Sequence, residues 1–314
     1  MGLAIGGDVG GTKIAAGVVD DHGIVTDKKR RPSPAKDPEG LRATIVDLVQ
    51  ELRHDHDVTA VGIGAAGFVN RERTGVVFSA HVAWGPEPVT STLQETLGLP
   101  VFIENDGNAA AWAEFTFGAG HGIPDQLMVA IGTGIGGGLI VGGKIHRGGH
   151  GMAGEIGHLG LVPDGRLCEC GRKGCLEEYA SGSALQRMAR EAAADGKAPA
   201  LLAAAGGDPE AVTGAQVSEL ARSGHQEGLD LFERLAEPLG IGIASLVAIL
   251  DPTVVVLGGG VSEAGEFLLE PTRPALEREL SGRGHRPVPE LRLAALGNDA
   301  GLIGAADLAR RAAD

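Results

Sequence analysis

Close to the amino terminus the chain reads Leu3-Ala4-Ile5-Gly6-Gly7-Asp8-Val9-Gly10-Gly11-Thr12-Lys13-Ile14-Ala15-Ala16-Gly17-Val18-Val19. Two apolar runs, Leu3–Ile5 and Ile14–Val19, flank a glycine-rich turn, which is the pattern of a β-hairpin. A short apolar run follows at Ile24–Val25. Leu41, Ile45, Leu48, Val49 and Leu52 then recur at helical spacing behind Asp37-Pro38, a cap followed by a first-turn proline. Val58–Ile63 and Val101–Ile103 read as further strands, and Ala109–Phe117 reads as a helix. The pattern then restarts. Leu127–Ile131 and Leu139–Val141 flank Gly132-Thr133-Gly134-Ile135-Gly136-Gly137-Gly138, a second glycine-tipped hairpin. Helices are expected at Leu185–Ala194 and Leu229–Leu250, where Pro238 is placed to kink the second. A strand at Thr253–Leu257 ends in three glycines, another lies at Leu291–Leu296, and Gly301–Arg311 reads as a closing helix. The Ala/Gly-rich stretch Ala198–Gly214 receives no element and no role. Two similar halves, each opening on such a hairpin, predict a duplicated α/β unit with a cleft.

Composition narrows the class. The 314 residues are 43% hydrophobic and 22% charged, an ordinary globular balance, with too few aromatics (3%) for a core built on anything but Ala, Val, Leu and Ile. Glycine, 52 residues, is in large surplus, which points to tight turns and loops where backbone approaches a ligand. A net charge of −14 opposes nucleic-acid binding, and the one basic run, Lys28–Arg31, reads as a solvated turn. The opening is too short and glycine-rich for a signal peptide, and no apolar run approaches the roughly 18 residues of a membrane span. The three cysteines are an odd number clustered in one place, so a disulfide framework is not expected. A cytoplasmic protein without membrane or nucleic-acid partners is the expectation.

Two glycine motifs match the dinucleotide fingerprint in letters only. Gly62-x-Gly64-x-x-Gly67 and Gly132-x-Gly134-x-x-Gly137 are not followed by the helix whose first amides must face a pyrophosphate. Gly138-x4-Gly143-Lys144 nearly spells a P-loop, but Ile145 lacks the required hydroxyl. A tight hairpin tip can still hold phosphate, because its backbone amides converge on an anion. At the first tip Asp8 offers a carboxylate for a metal, while Thr12 and Lys13 offer a hydroxyl and an ammonium. Gly132, Thr133 and Gly134 form the second tip, and two such tips suit a shared polyphosphate.

Cys168-x-Cys170-x4-Cys175 uses every cysteine, and His158 lies shortly before it. Three thiolates and an imidazole complete a tetrahedral zinc site with no open position, hence a structural one. Asp106 follows a strand end, where it reads equally as a helix-cap residue and as a general base.

DVGGTK (Asp8–Lys13), ENDGNAAAWAE (Glu104–Glu114), GTGIGGG (Gly132–Gly138), GEIGH (Gly154–His158), the cysteine cluster with CLE (Cys175–Glu177) and VVVLGGGVS (Val254–Ser262) stand in the order of the ROK-family sugar kinases, which the chain resembles over nearly its whole length. The resemblance is closest to the glucose-phosphorylating branch. It implies the actin/hexokinase-like duplicated ribonuclease-H-type fold, in two α/β domains: residues 1–117 with the terminal helix 299–314 packing back on them, and residues 118–298 carrying the zinc. It implies transfer of the ATP γ-phosphoryl to the 6-hydroxyl of glucose, with Asp106 as base. Sugar contacts are implied for Gly67, Asn105, Asp106, Glu155, His158 and Glu177. ATP and Mg2+ contacts are implied for Asp8, Gly10, Gly11, Thr12, Lys13, Gly132, Thr133, Gly134, Gly259 and Gly260. It further implies a homo-oligomer, dimer or tetramer, and a cleft that closes about crossings near Phe117–Gly120 and Gly297–Ala300.

Three other readings compete with this one. Repressors of the family carry a helix-turn-helix, for which no segment is found before Leu3. Kinases for mannose, fructose or an N-acylhexosamine share the scaffold, but Gly154 rather than proline precedes Glu155, against the fructose branch. Polyphosphate-dependent members generally lack the cysteine cluster, which favours ATP.

Overall fold

The computed structural model describes residues 2–313. The first sheet is built from β1 (Leu3–Val9), β2 (Lys13–Val19), β3 (Val25–Pro32), and, after helix α1 (Pro38–Arg53), β4 (Val58–Ala65). A small hairpin of β5 (Phe68–Val69) and β6 (Val76–Phe78), then α2 (Val89–Leu97), precede the last strand β7 (Val101–Asn105), which runs straight into α3 (Asp106–Phe117). The order is β3-β2-β1-β4-β7. The first three strands are antiparallel neighbours, whereas β4 pairs in parallel with β1 and β7.

The second sheet comprises β8 (Gln126–Ile131), β9 (Ile135–Val141), β10 (Lys144–Ile145), β11 (Val254–Gly258) and β12 (Glu290–Leu293) in the order β10-β9-β8-β11-β12. Three strands back and forth, then two to the other side, is the order of the first sheet again. The duplication is therefore real at the level of topology. The helices of this half are α4 (Glu177–Ala180), α5 (Gly182–Ala194), α6 (Pro199–Ala204), α7 (Gly214–Arg222), α8 (Gln226–Leu250) and α9 (Glu266–Glu279), and α10 (Ala300–Ala313) closes the chain.

By contacts the chain forms two compact units. One is Met1–Met128, Gly137–Gly154 and Ala295–Asp314; the other is Val129–Gly136 and Glu155–Ala294. Residues 118–128, 137–154 and 295–298 thus pack with the first unit, where the sequence reading assigned them to the second domain. The first core joins Ile5, Val9, Ile14 and Val18 of the sheet to Leu41, Ile45, Leu48 and Leu52 of α1, the residues that recur at helical spacing. Helix α10 lies on the other side against β1 and β4. A Cβ on Gly62 would sit 1.9 Å from the carbonyl oxygen of Ala305, so only glycine lets helix and strand backbones meet there. In the second unit β11 is wholly buried, and α8 buries Leu231, Phe232, Leu235, Leu239 and Ile243.

Several local expectations change. The basic run Lys28–Arg31 is not a turn but part of β3, an edge strand, where cationic side chains discourage pairing with another chain. Gly136, Gly137 and Gly138 belong to β9 rather than to the hairpin tip. The smallness of Gly138 serves packing: a Cβ there would meet Ala111 Cβ at 2.5 Å and the Gly107 carbonyl at 2.6 Å on α3. Helix α8 runs unbroken through Pro238. Within Ala198–Gly214 the structure forms α6 and a 3-10 turn at Pro209–Ala211. Helix α9 escaped a propensity reading because Pro271 and Pro274 interrupt its pattern, and both lie inside the helix.

Candidate active site

Asp106 is the first residue of α3, and the cap is its neighbour. The Asn105 side-chain oxygen accepts from Asn108 N at 3.0 Å, so the capping role divides from the carboxylate. Asn105 Nδ2 donates to the carbonyl of Gly67 at 3.1 Å and to Asp106 Oδ1 at 3.0 Å, and Gly107 N donates to the same oxygen at 2.9 Å. Gly67, Asn105 and Asp106 are therefore one cluster at the ends of the parallel strands β4 and β7, and the carboxylate is oriented by the donors Asn105 Nδ2 and Gly107 N. Beneath them Glu104 is 4% exposed and is held by Arg147.

The first hairpin tip closes through Gly10 N donating to the Lys13 carbonyl at 3.1 Å. Half-buried Asp8 stands at its base, and Gly301 of α10 lies against it. Burial pushes the Asp8 carboxyl above its ordinary range; Lys13 and Lys28 pull it back, and Asp299 adds to the rise. Lys28 is paired with Asp299. Gly11 abuts His81, while Thr12 and Lys13 are exposed at the tip, available to a ligand.

The second tip is a neutral structure. Gly132 N donates to the Gly134 carbonyl at 2.9 Å, and the carbonyls of Gly132 and Thr133 accept from Gly182 N (2.8 Å) and Ser183 N (3.2 Å) at the start of α5. A cavity of about 980 Å³ opens here within the second unit. Gly132, Thr133, Gly182, Ser183, Gly260 and Val261 line it, together with Arg187, Arg190, Glu191, Glu210, Gly214 and Arg222. Gly134 and Gly259 flank it along the chain; Gly134 turns toward Glu177. That volume suits a drug- or nucleotide-sized ligand. Part of its wall comes from the stretch to which the sequence reading gave no role.

Glu155 caps the 3-10 turn Ile156–His158, which sets the two side chains one turn apart. Burial pushes Glu155 above the ordinary carboxyl range, with His158 opposing and Glu177 reinforcing. His158 Nδ1 lies 3.1 Å from Glu177 Oε1, and this hydrogen bond raises the imidazole pKa. Burial pushes Glu177 up as well, but its bonds to His158 and Cys168 more than reverse that, and its carboxyl ends below the usual range.

The cysteine turn is organised by backbone. Cys168 N donates to the Arg172 carbonyl at 2.8 Å, Gly171 N to the Cys168 carbonyl at 2.9 Å, and Gly160 bridges Cys175 as an isolated β-pair. The ligand atoms of His158, Cys168, Cys170 and Cys175 all fall within 4.8 Å of one another. Cys168 Sγ is 3.6 Å from His158 Nδ1, and Cys170 Sγ is 3.6 Å from Cys175 Sγ. A tetrahedron with Zn–S near 2.3 Å and Zn–N near 2.0 Å has edges of roughly 3.5–3.8 Å, so the donor set fits zinc. Burial pushes the Cys168 and Cys175 thiols up, the electrostatic cost that a bound dication cancels.

Residues that sequence reasoning did not find are Glu104 and Arg147, Lys28 and Asp299, and the arginines of the cavity. Only Lys28 carried a usable signal, as part of the basic run on the strand beyond the hairpin that bears Asp8.

The strand order repeated in both sheets defines an α/β chain of the actin/hexokinase-like fold. The chain belongs to the ROK family, whose model matches residues 4–312. It is 46% identical over 312 residues to the glucokinase of Streptomyces coelicolor, covering 99% of this chain and 98% of that protein. A ROK family glucokinase from Streptomyces griseus, solved in complex with glucose and AMPPNP, is similar with a TM-score of 0.91 and 46% identity over 99% of this chain and 100% of that one. The N-acetylmannosamine kinase of Salmonella typhi is 35% identical, over 96% of this chain and 97% of that protein. Among the described residues no helix is long and apolar enough to cross a membrane.

Proposed function

We propose that the chain is an ATP-dependent glucokinase, transferring the γ-phosphoryl group of ATP to the 6-hydroxyl of glucose. The observation that carries the reading is Asp106 at the junction of β7 and α3, its carboxylate aimed by Asn105 and Gly107. Phosphoryl transfer asks the protein for positioning, charge neutralisation and a carboxylate to accept the hydroxyl proton. Asp106 takes that proton. Asn105 and the Gly67 segment bound the sugar on the same side, and Glu155, His158 and Glu177 accept from its remaining hydroxyls. His158 does so through Nε2, since Nδ1 faces the cysteines.

Phosphate oxygens are bound by the amides of Gly11, Thr133 and Gly134, by Thr12 and Lys13, and by the turn at Gly259 and Gly260, with the rest of the nucleotide in the adjoining cavity; the Gly10 and Gly132 amides close the two tips that present these groups. Asp8 holds the magnesium that accompanies ATP, which neutralises phosphate charge when bound. His158, Cys168, Cys170 and Cys175 hold a structural zinc, which shapes the segment between Glu155 and Glu177.

An ADP-release assay over glucose, mannose, fructose and N-acetylmannosamine tests the reading. Glucose is expected to give the highest kcat/KM. Preference for N-acetylmannosamine would leave a kinase but remove glucose as its substrate. Asp106→Asn keeps the shape and loses the proton acceptor, so kcat is expected to fall about 10²–10⁴-fold with glucose binding retained in calorimetry. Turnover within a few-fold of wild type would exclude Asp106 as the base.

A further inference from the structure

We propose that Arg147 and Glu104 form a positioning pair for the transfer reaction, one ion pair between a half-buried guanidinium and a buried carboxylate that sets both the base Asp106 and the loop leading into Glu155. The role rests on the function proposed above.

Glu104 is the penultimate residue of β7, paired with Gly64 on the neighbouring strand and 4% exposed. A carboxylate in such a place is destabilising unless every lone pair is engaged. Here one oxygen engages Arg147 and the other the residues beside Asp106. Oε2 accepts from Arg147 Nε at 2.8 Å and Nη2 at 2.6 Å. Oε1 accepts from Asn105 N at 3.2 Å and Asn108 Nδ2 at 3.1 Å. Asn105 and Asn108 bracket Asp106, and Asn105 in turn donates to the Asp106 carboxylate. The guanidinium thus fixes Glu104, Glu104 fixes the helix start, and the helix start aims the base. Well-packed apolar side chains can replace a buried pair with little or no loss of stability. Stability alone therefore gives no reason for charge at this position, whereas orientation of Asp106 does.

The backbone of Arg147 has a second task. His146 N donates to the Leu139 carbonyl at 2.8 Å, anchoring the start of the loop on β9, and the Arg147 carbonyl accepts from Ala153 N at 3.1 Å, closing it. Gly154 and Glu155 come next. The residue whose side chain steadies the base thereby also sets the departure point of the segment that delivers a sugar-binding carboxylate.

The test compares Arg147→Gln, Arg147→Lys and Glu104→Gln with wild type and Asp106→Asn, measuring kcat, both KM values, folded fraction and amide hydrogen exchange. For Arg147→Gln we expect kcat, corrected for folded fraction, to fall by roughly 10–100-fold, the cost of a misplaced reacting group. The KM for ATP should stay within about twofold, and the KM for glucose should rise several-fold. Exchange should quicken at Asn105–Asn108 and Ala153–Glu155 and not elsewhere. Arg147→Lys, which keeps the charge without the fork, should recover part of kcat. A corrected kcat within about twofold of wild type would overturn the pair's role, as would faster exchange spread over the whole chain. If wild type turned over no hexose, the proposed function would fall, and exchange confined to the two segments would still decide whether Arg147 positions them.

Discussion

The tip of β1–β2 and the tip of β8–β9 occupy matching places in two sheets of identical strand order, yet their chemistry differs. Around the first stand Asp8, Lys13, Lys28 and Asp299; burial pushes the Asp8 carboxyl up, and the two lysines pull it back. The second has no charged residue between Gly132 and Gly134; its carbonyls are occupied by the first amides of α5, and that docking walls the cavity. Duplication copied the backbone scaffold without copying the charges. A polyphosphate with its metal needs opposite charge at one place, and elsewhere shape and amides suffice.

The largest effect that would sharpen this contrast is expected from Asp8→Asn. Loss of the carboxylate should lower kcat about 10²–10³-fold, on the order found for removal of one electrostatic stabiliser. The same change should raise the Tm of the ligand-free protein by about 1–3 °C, because a neutral amide replaces a charge that burial disfavours. Steady-state kinetics over a magnesium series and calorimetry check both signs, and an unchanged kcat would erase the distinction between the tips.

Next in size is Cys170→Ala. Three ligands should no longer retain zinc, so elemental analysis of protein purified without added metal should fall from one zinc per chain to well below it. With the segment from Glu155 to Glu177 loosened, kcat/KM for glucose should drop roughly 10–100-fold while the KM for ATP holds. Full activity without zinc would make the cysteines bystanders.

The smallest effect is expected from Thr133→Val, which removes one hydroxyl from the neutral tip. A rise of about 3–10-fold in the KM for ATP, with kcat nearly unchanged, corresponds to the loss of one hydrogen bond. A fall in kcat comparable to that of Asp8→Asn would mean that the two tips share the work evenly.

Much of this was legible in residue order. Asp37 before Pro38, and Leu41 through Leu52 at helical spacing, announced α1 without any tertiary knowledge, and the structure places those leucines in the core. The cysteines were readable because ligand spacing within a short turn is a local property, and the structure brings all three together with His158. Other features were misread for equally physical reasons. Gly136–Gly138 read as part of the hairpin tip, because a glycine in a strand and a glycine in a turn have the same letter. Glu104 at the end of its strand gave no sign of its partner, because the arginine that pairs with it lies 43 residues away.

Sequence alone determined the elements whose signal repeats over a few residues: the two hairpins, the amphipathic α1, the metal-ligand spacing, and Asp106 where a strand gives way to a helix. Tertiary structure decided the pairings. Arg147 reaches Glu104 across 43 residues and Lys28 meets Asp299 across 271. α10 presses onto β4 at Gly62, and the cavity draws its wall from β8–β9, α5, α7 and the turn after β11. Backbone periodicity is written in neighbouring residues because local sterics and hydrogen bonding enforce it. The partner of a buried charge is set by which segments the whole fold brings together once water has been excluded.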